Sequence, residues 1–458
     1  MEPCSLGRIE EWSGGCRKRG DAGIMLSRVH TDSRTVQPGD CFWALSGASF
    51  DGHDFVEEAF RRGARAAVVA RPIDGLSVPA DAGLVVVADT LAALQQFAHR
   101  YRRALPAKIV AVSGSSGKTT TKELILNVLR SRFPVIGNAG NRNNQIGLPL
   151  AILDFPPEIA FGILEMGTNH PGEIACLAAI AAPDIGVLTN IGLAHIGFFG
   201  SDEAIAEEKT ALLAALPPDG WAVLPDGDPW IRRRVGRCRA RVLWVGSGPE
   251  ASWRARQIKM REAGIHFLLQ GDGEELPVQL RTASRAVVTD ALLAAGVGSL
   301  AGLPAREIAQ ALEGAVYPGH RMEIRTLPDG WVIDDSYNAN PDSALAALQA
   351  LMEFPKGERK GAVLGSMGEL GAQSTELHER LGRSAGELPI AFLIAVGPEA
   401  ESLARGAAAG GLPEERICRC ATADEAVREL HALRRAGDVI LVKGSRFLGL
   451  ERVVEALM

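Results

Sequence analysis

Lys118 has the neighbours that most narrowly define a chemistry in this 458-residue chain. It follows Gly114-Ser-Ser-Gly117 and precedes Thr119 and Thr120. The turn lies between an apolar run at 109–112 and a stretch whose Leu124, Ile125, Val128 and Leu129 share one helical face. A buried strand, a tight turn and a helix in that order point backbone N–H groups and a helix N-terminus at an anion. Lys118 would reach the terminal phosphates of a nucleoside triphosphate, and the Thr119 hydroxyl would ligate Mg²⁺. Gly114, Ser115, Ser116, Gly117, Lys118, Thr119 and Thr120 therefore form the expected triphosphate cradle. It is the short form of such a loop, with Val112 where the longer form carries Gly.

Other residues gather around it by the same logic. Phe161-Gly-Ile-Leu-Glu165 reads as a short buried strand ending on a carboxylate, and strand ends are where ligands bind in open α/β sheets. Glu165 is the expected Mg²⁺ ligand. A second strand within 184–192 delivers His195 to the same edge, where a structural histidine is an equal reading. Asn141, Asn143 and Asn144 crowd amide groups onto one turn, suited to orienting ligand or metal-bound water. Lys209, on a predicted helix over 202–215, reads in isolation as a solvated charge. Ser33 with Arg34 is a hydroxyl and guanidinium pair suited to a phosphate, and Asp51-Gly-His53 puts a carboxylate and an imidazole on a turn. A capping turn and a solvated loop explain those two equally well.

The elements that must position these residues are α/β throughout. At 458 residues, two or three domains are expected. With 47% hydrophobic and 23% charged residues and a net charge of −6, the composition is that of a globular protein without the basic face a nucleic-acid backbone requires. Seven scattered cysteines without a Cys-x-x-Cys pair fit a reducing cytoplasm, and no apolar run is long enough to span a membrane. Residues 1–26 show weak periodicity and read as a lead-in. A small α/β domain is expected over 1–104, ending at a hinge near Leu105-Pro106. A central domain follows over 105–316, with a β-rich elaboration at 217–283 and helices at 286–300 and 304–314. The last domain, 317–458, opens after a second hinge at Tyr317-Pro-Gly-His320. Its alternating strands and helices predict a parallel, doubly wound sheet.

Taken together, the motifs resemble the Mur ligases of bacterial cell-wall precursor synthesis from about residue 28 to the C-terminus. The resemblance rests on Asp32-Ser-Arg34, Asp51-Gly-His-Asp-Phe55, the phosphate loop, Gly140-Asn-Arg-Asn-Asn144 and Glu165-Met-Gly167. Further on it rests on Asp334-Asp-Ser-Tyr-Asn-Ala-Asn-Pro341, Gly368-Glu-Leu-Gly371 with His378, and Gly437-Asp-Val-Ile-Leu-Val-Lys-Gly-Ser-Arg446. Within the family, Tyr-Asn-Ala-Asn-Pro is most like the branch that joins D-alanyl-D-alanine to UDP-N-acetylmuramoyl-tripeptide. The resemblance implies an N-terminal domain for the UDP end of the substrate, a central P-loop ATPase and a C-terminal Rossmann-like domain closing over the reaction. It also implies ATP, Mg²⁺ and an acyl-phosphate intermediate.

Under that resemblance, Lys118, Glu165, His195 and Lys209 carry the chemistry. Thr119, Glu165 and His195 bind metal, joined by Lys209 if it is carbamylated. Arg321, Asp335, Asn338 and Asp290 meet ATP, with Asp335 on the ribose. Ser33, Arg34, Ser46, Gly47, Asp51, His53, Asn141, Asn143, Asn144, Lys443, Ser445 and Arg446 contact the amino-acid and UDP-linked substrates. A cytoplasmic monomer is expected. The chain departs from the family pattern near the base pocket, with Ser284, Ala286 and Asp290 where Gly, His and Asn are usual. It also has Ser366 for Asp and Pro225 for Asn. A related ligase adding a different amino acid, and a non-catalytic nucleotide-binding relative, are the two alternatives.

Overall fold

Three buried parallel arrays follow one another along the chain, each too apolar to stand without helices on its faces. The computed structural model describes every residue except Ala48, 72–77 and Pro318. In the first unit, five strands lie in the order Cys16–Arg19, Gly83–Val86, Ala66–Val69, Cys41–Trp43 and Val29–His30. Only Cys16–Arg19 runs antiparallel to its neighbour. The lead-in expected over 1–26 is instead ordered. Helix Leu6–Ser13, capped by the Ser5 hydroxyl, sinks Leu6 and Ile9 into the core that holds Trp43 and Phe97. Two fully buried positions in eight residues are too few to show as periodicity.

The central sheet has six parallel strands: Arg241–Val245, Trp221–Pro225, Ile185–Leu188, Lys108–Ser113, Phe161–Glu165 and Val135–Gly137. After Lys108–Ser113 the chain builds to one side, then crosses back to Ile185–Leu188 on the other. The carboxyl ends of these strands therefore open a crevice at the reversal. The β-rich reading of 217–283 needs correction: Trp221–Pro225 and Arg241–Val245 belong to this main sheet. Only Arg254–Arg261, Gly264–Gly271 and Glu274–Leu280 form a separate antiparallel meander.

The last unit orders its strands Glu323–Leu327, Gly330–Asp335, Asp438–Lys443, Lys360–Gly365, Phe392–Val396 and Ile417–Cys420. All are parallel except the opening hairpin. Ile196, Phe199 and Ile205 of the central unit share one hydrophobic cluster with Met367, Leu370 and Leu377 of this last unit. The two are thus docked through apolar surface. Of the expected second hinge, Pro318 lies outside the described residues. His320 and Met322, just beyond it, hold φ of 64° and 51°, conformations unfavourable for side-chain-bearing residues.

One buried charge bears on stability. Helix Ala286–Leu300 packs on helix Lys118–Arg130 and places the Asp290 carboxylate under the phosphate loop. Asp290 Oδ1 accepts the Thr121 hydroxyl at 2.9 Å, and the carboxylate lies where only a glycine at 117 leaves room. Burial pushes this carboxyl up to about 7, with the Thr121 bond opposing. The unfolded chain releases that proton at lower pH, so stability is lost as pH rises from about 4 to about 7 and stays low above it. Asp290→Asn removes the buried anion. We expect the unliganded variant to melt about 2–6 °C above the parent at pH 8, with the gap narrowing at pH 5.5. Equal gaps at both pH values in a thermal-unfolding series would contradict a titrating Asp290.

Candidate active site

Strand Lys108–Ser113 ends directly into the loop 114–117, and the loop into helix Lys118–Arg130. Gly114 and Gly117 hold φ of 143° and 81°, and a methyl on Gly114 would fall 1.9 Å from Thr189 Oγ1, so neither position accepts a side chain. The loop is braced from the next strand end: Ser115 N donates to Asn190 O at 2.9 Å and Ser116 N to Asn190 Oδ1 at 3.0 Å. Thr121 N donates to Gly117 O as the helix begins, so the N–H groups of Lys118, Thr119 and Thr120 have no intrahelical acceptor. They are the anion-facing donors. Lys118 Nζ folds back onto Gly114 O at 2.8 Å and Ser115 O at 3.2 Å. Burial lowers its pKa, with Glu165 opposing and Arg321 reinforcing the shift.

Glu165 ends its strand as expected and is buried. Its Oε1 accepts from Asn143 Nδ2 at 2.8 Å, while Oε2 is buried with no partner. A carboxylate oxygen stripped of water and left unbonded is costly unless a cation meets it. This is the feature that fits Mg²⁺, which takes one or two protein oxygens and fills its shell with phosphate and water. Among the described residues no three His, Cys, Asp or Glu side chains form a ready-made cage.

Asn138 was not legible as a site residue, yet it fixes Glu165 through the backbone. Its Oδ1 accepts from Glu165 N at 2.9 Å and its Nδ2 donates to Glu165 O at 3.0 Å. Lys122, itself buried, donates to Asn138 O at 2.8 Å. Asn138 directly follows strand Val135–Gly137, so the strand-end rule that found Glu165 could have found it. Asn144, by contrast, caps its own turn toward Ile146 N and Gly147 N, and Asn141 O accepts from Asn143 N.

Helix Asp202–Ala214 buries Lys209 completely on its inner face, where burial and the charge of Lys118 hold its pKa well below the lysine range. The solvated reading of this lysine is therefore wrong in place, whatever its role. His195 lies at the N-terminus of the short helix Ile196–Phe199 in a left-handed conformation. Its Nδ1 lies 2.5 Å from Glu369 Oε2, a close carboxylate–imidazole contact without the alignment of a hydrogen bond. That contact holds the Glu369 carboxyl below its usual range.

Several further groups reach the crevice from the last unit. The Arg321 guanidinium stacks 4.0 Å over the Tyr337 ring, with Nε buried and unpartnered, and Arg446 lies 5.4 Å from the same ring. Buried Lys443 is engaged internally by Asp335 at 2.5 Å and by Asn338 O at 2.9 Å. Ser445 Oγ accepts from Gly368 N at 2.8 Å. Two contacts that sequence reasoning missed cross the boundary: Asn340 Nδ2 donates to Ser116 Oγ at 3.0 Å, and Asp342 accepts from Leu193 N at 2.7 Å.

In the first unit, Asp51 Oδ1 lies 2.6 Å from His53 Nδ1 and accepts from Ser46 Oγ at 3.0 Å. Ala70 N donates to His53 Nε2, which puts the ring proton on Nδ1. Ser33 is buried, Arg34 pairs with Asp32 at 2.7 Å, and Gly47 N donates to Phe50 O. Arg34 and Arg71 are 81% and 58% exposed along their side chains, each held by a carboxylate: Arg34 by Asp32, and Arg71 by Asp51 at 3.0 Å.

Three family descriptions match in order: Mur ligase family, catalytic domain, over 26–102; Mur ligase middle domain over 112–298; and Mur ligase, glutamate ligase domain, over 320–446. The UDP-N-acetylmuramoyl-tripeptide--D-alanyl-D-alanine ligase of Mycobacterium bovis is 37% identical, covering 94% of this chain and 92% of its own. The ligase of the same name from Escherichia coli K12 is 34% identical, over 95% and 94%. A crystal structure of MurF from Acinetobacter baumannii superposes with a TM-score of 0.91 at 31% identity, over 100% and 99%. MurF ligase from Thermotoga maritima in complex with ADP superposes at 0.84 with 30% identity, over 94% and 96%. With a phosphate loop, a strand-end carboxylate and Arg321 of the last unit already in place, likeness over nearly the whole length means that the chain belongs to the Mur ligase family.

Proposed function

We propose that this chain joins D-alanyl-D-alanine to UDP-N-acetylmuramoyl-tripeptide with conversion of ATP to ADP and phosphate, completing the UDP-linked pentapeptide used for peptidoglycan. The observation that carries the reading is the meeting at one crevice of Lys118, a half-free Glu165 and Arg321 from the facing unit. The substrate names come from relatives similar along nearly the whole chain. We read the chain as an N-terminal substrate domain over 1–104, a central ATPase over 105–316 and a closing domain over 317–458, working as a monomer in the cytoplasm. Among the described residues no helix is long and apolar enough to cross a membrane.

A carboxylate is a poor acyl donor because its leaving group would be oxide. Transfer of the γ-phosphoryl group to the terminal carboxylate of the tripeptide gives an acyl phosphate, and ADP departs. The amine of D-alanyl-D-alanine then attacks the carbonyl carbon, the C–O bond to phosphate breaks, and an amide and inorganic phosphate result. Charge moves among phosphate oxygens throughout, so stabilisation is electrostatic. The N–H groups of Lys118, Thr119 and Thr120 hold the phosphates, and the Lys118 ammonium leaves the loop carbonyls to neutralise them. Arg321 supplies positive charge from the other side, and Asp335 would meet the ribose beside Asn338.

Thr119 and Glu165 would hold Mg²⁺, with His195 and a carbamylated Lys209 available to a second ion. When bound, the metal polarises phosphate oxygens and offsets their charge. Carbamylation needs a neutral amine to add CO₂, and the burial of Lys209 beside Lys118 favours that form. The UDP end would lie against Ser33, Arg34, Ser46, Gly47, Asp51 and His53, with Asn141, Asn143, Asn144, Lys443, Ser445 and Arg446 nearer the peptide.

Phosphate release should require both UDP-N-acetylmuramoyl-tripeptide and D-alanyl-D-alanine, with the pentapeptide identified by mass spectrometry. Lys118→Ala should lower kcat by about 100- to 1,000-fold. Release without either substrate, or undiminished turnover in the variant, would sink the reading. For Lys209, activity should fall in CO₂-depleted buffer and return with bicarbonate. Activity indifferent to bicarbonate would count against the modified lysine.

A further inference from the structure

The segment Gly368-Glu-Leu-Gly371 has no part in the mechanism above, yet it makes an unusual contact. It leaves the carboxyl end of strand Lys360–Gly365 and reaches across to the central unit. Glu369 O accepts from Gly197 N at 3.0 Å, and its carboxylate meets His195 Nδ1. The two backbones come together through glycines: a methyl on Gly197 would fall 2.5 Å from Gly371 N and 2.7 Å from Glu369 O. Both partners of the carboxylate–imidazole contact are strained, since His195 and Glu369 each hold φ of 63°. Of the seven non-glycine residues with positive φ among the described residues, four lie at this boundary: His195, His320, Met322 and Glu369.

The last unit grips the segment from behind. Met367 N donates to His378 Nε2 at 2.7 Å, and His378, fully buried, has Nδ1 2.7 Å from Ser374 O. Since Nε2 accepts, Nδ1 carries the proton. Gly368 N donates to Ser445 Oγ, while Met367 and Leu370 sit in the shared apolar cluster. Such bracing fixes the backbone from which the Glu369 carboxylate projects. It arrives near enough to Lys118 for the two charges to act on one another. With Nδ1 of His195 held by Glu369, the imidazole leaves only its opposite nitrogen to the crevice.

We propose that Glu369 is a positioning residue for His195: the last unit presents its carboxylate to Nδ1 when it docks, and so fixes the Nε2 edge toward the phosphate-transfer site. The proposal rests on the ligase reading. A carboxylate behind an imidazole sets the ring's tautomer and orientation, and its loss from comparable sites costs about 10- to 100-fold. Because the two residues come from different units, the pair is complete only in the docked arrangement. The enzyme thus links closure to readiness of the site.

The test compares Glu369→Ala, Glu369→Gln and Glu353→Ala in the full chain. Glu353 pairs with Arg285 across the same boundary, far from His195 in role, and serves as the adhesive control. Glu369→Ala should lower kcat about 10- to 100-fold with the KM for ATP changed less than about threefold. Glu369→Gln should recover most of that loss, since its amide oxygen still lies beside Nδ1. Glu353→Ala should keep kcat within about twofold. Imidazole ¹⁵N resonances of ligand-free protein should show His195 protonated on Nδ1 in the parent and a mixture of tautomers in Glu369→Ala. A Glu369→Ala variant with raised KM and intact kcat, one matching Glu353→Ala, a Gln variant without recovery, or an unchanged tautomer would each overturn the proposal. A parent enzyme that forms no pentapeptide would instead overturn the ligase reading.

Discussion

The ammonium of Lys118, half-buried and folded back onto its own loop, is the constraint on which the rest depends. A partly desolvated cation in such a place gains from negative charge, and the loop carbonyls of Gly114 and Ser115 provide only dipoles. Nearby Glu165 opposes the penalty while Arg321 adds to it. A triphosphate resolves the conflict by putting anionic oxygens between the ammonium, the helix N-terminus and the guanidinium. The glycines at 114 and 117, the bracing Asn190 and the buried helix contact through Asp290 all serve to keep that cradle shaped for an anion it must bind and release.

No single unit completes the site. The central sheet contributes the loop, Glu165 and Lys209, whereas Arg321, Asp335, Asn340 and Glu369 come from the last unit. Apolar contact through Ile196, Phe199 and Leu370 draws the two together. Left-handed backbone at His195, His320, Met322 and Glu369 marks the same boundary, each such residue carrying conformational strain of roughly 1–3 kcal/mol. An interface that is attractive in its side chains and strained in its backbone is suited to opening and closing in each cycle, admitting a large UDP-linked substrate and then excluding water from the acyl phosphate.

The local parts of this design were legible. Strand, turn and helix around Lys118 follow from four consecutive apolar residues and the glycines at 114 and 117, and Glu165 from one strand-end carboxylate. Residues whose part depends on tertiary placement were not. Lys209 looks like any helical lysine until its helix turns it inward, and Asn138 acts on Glu165 across two strands. Glu369 could be quoted as part of a motif, but its partner is 174 positions away in the chain. Helix Leu6–Ser13 escaped because its apolar positions are sparse, and the strands Trp221–Pro225 and Arg241–Val245 read as part of the β-rich elaboration because the sheet a strand joins is decided by packing rather than by its pattern.

Oxygen transfer offers the most direct look at the chemistry. With ¹⁸O in the terminal carboxylate of UDP-N-acetylmuramoyl-tripeptide, an acyl phosphate formed at Lys118 requires one labelled oxygen to leave with phosphate when the D-alanyl-D-alanine amine attacks. Mass spectrometry of the released phosphate should therefore find one ¹⁸O per pentapeptide formed. Unlabelled phosphate at full product yield would mean that the carboxylate is not phosphorylated and that the crevice performs some other reaction.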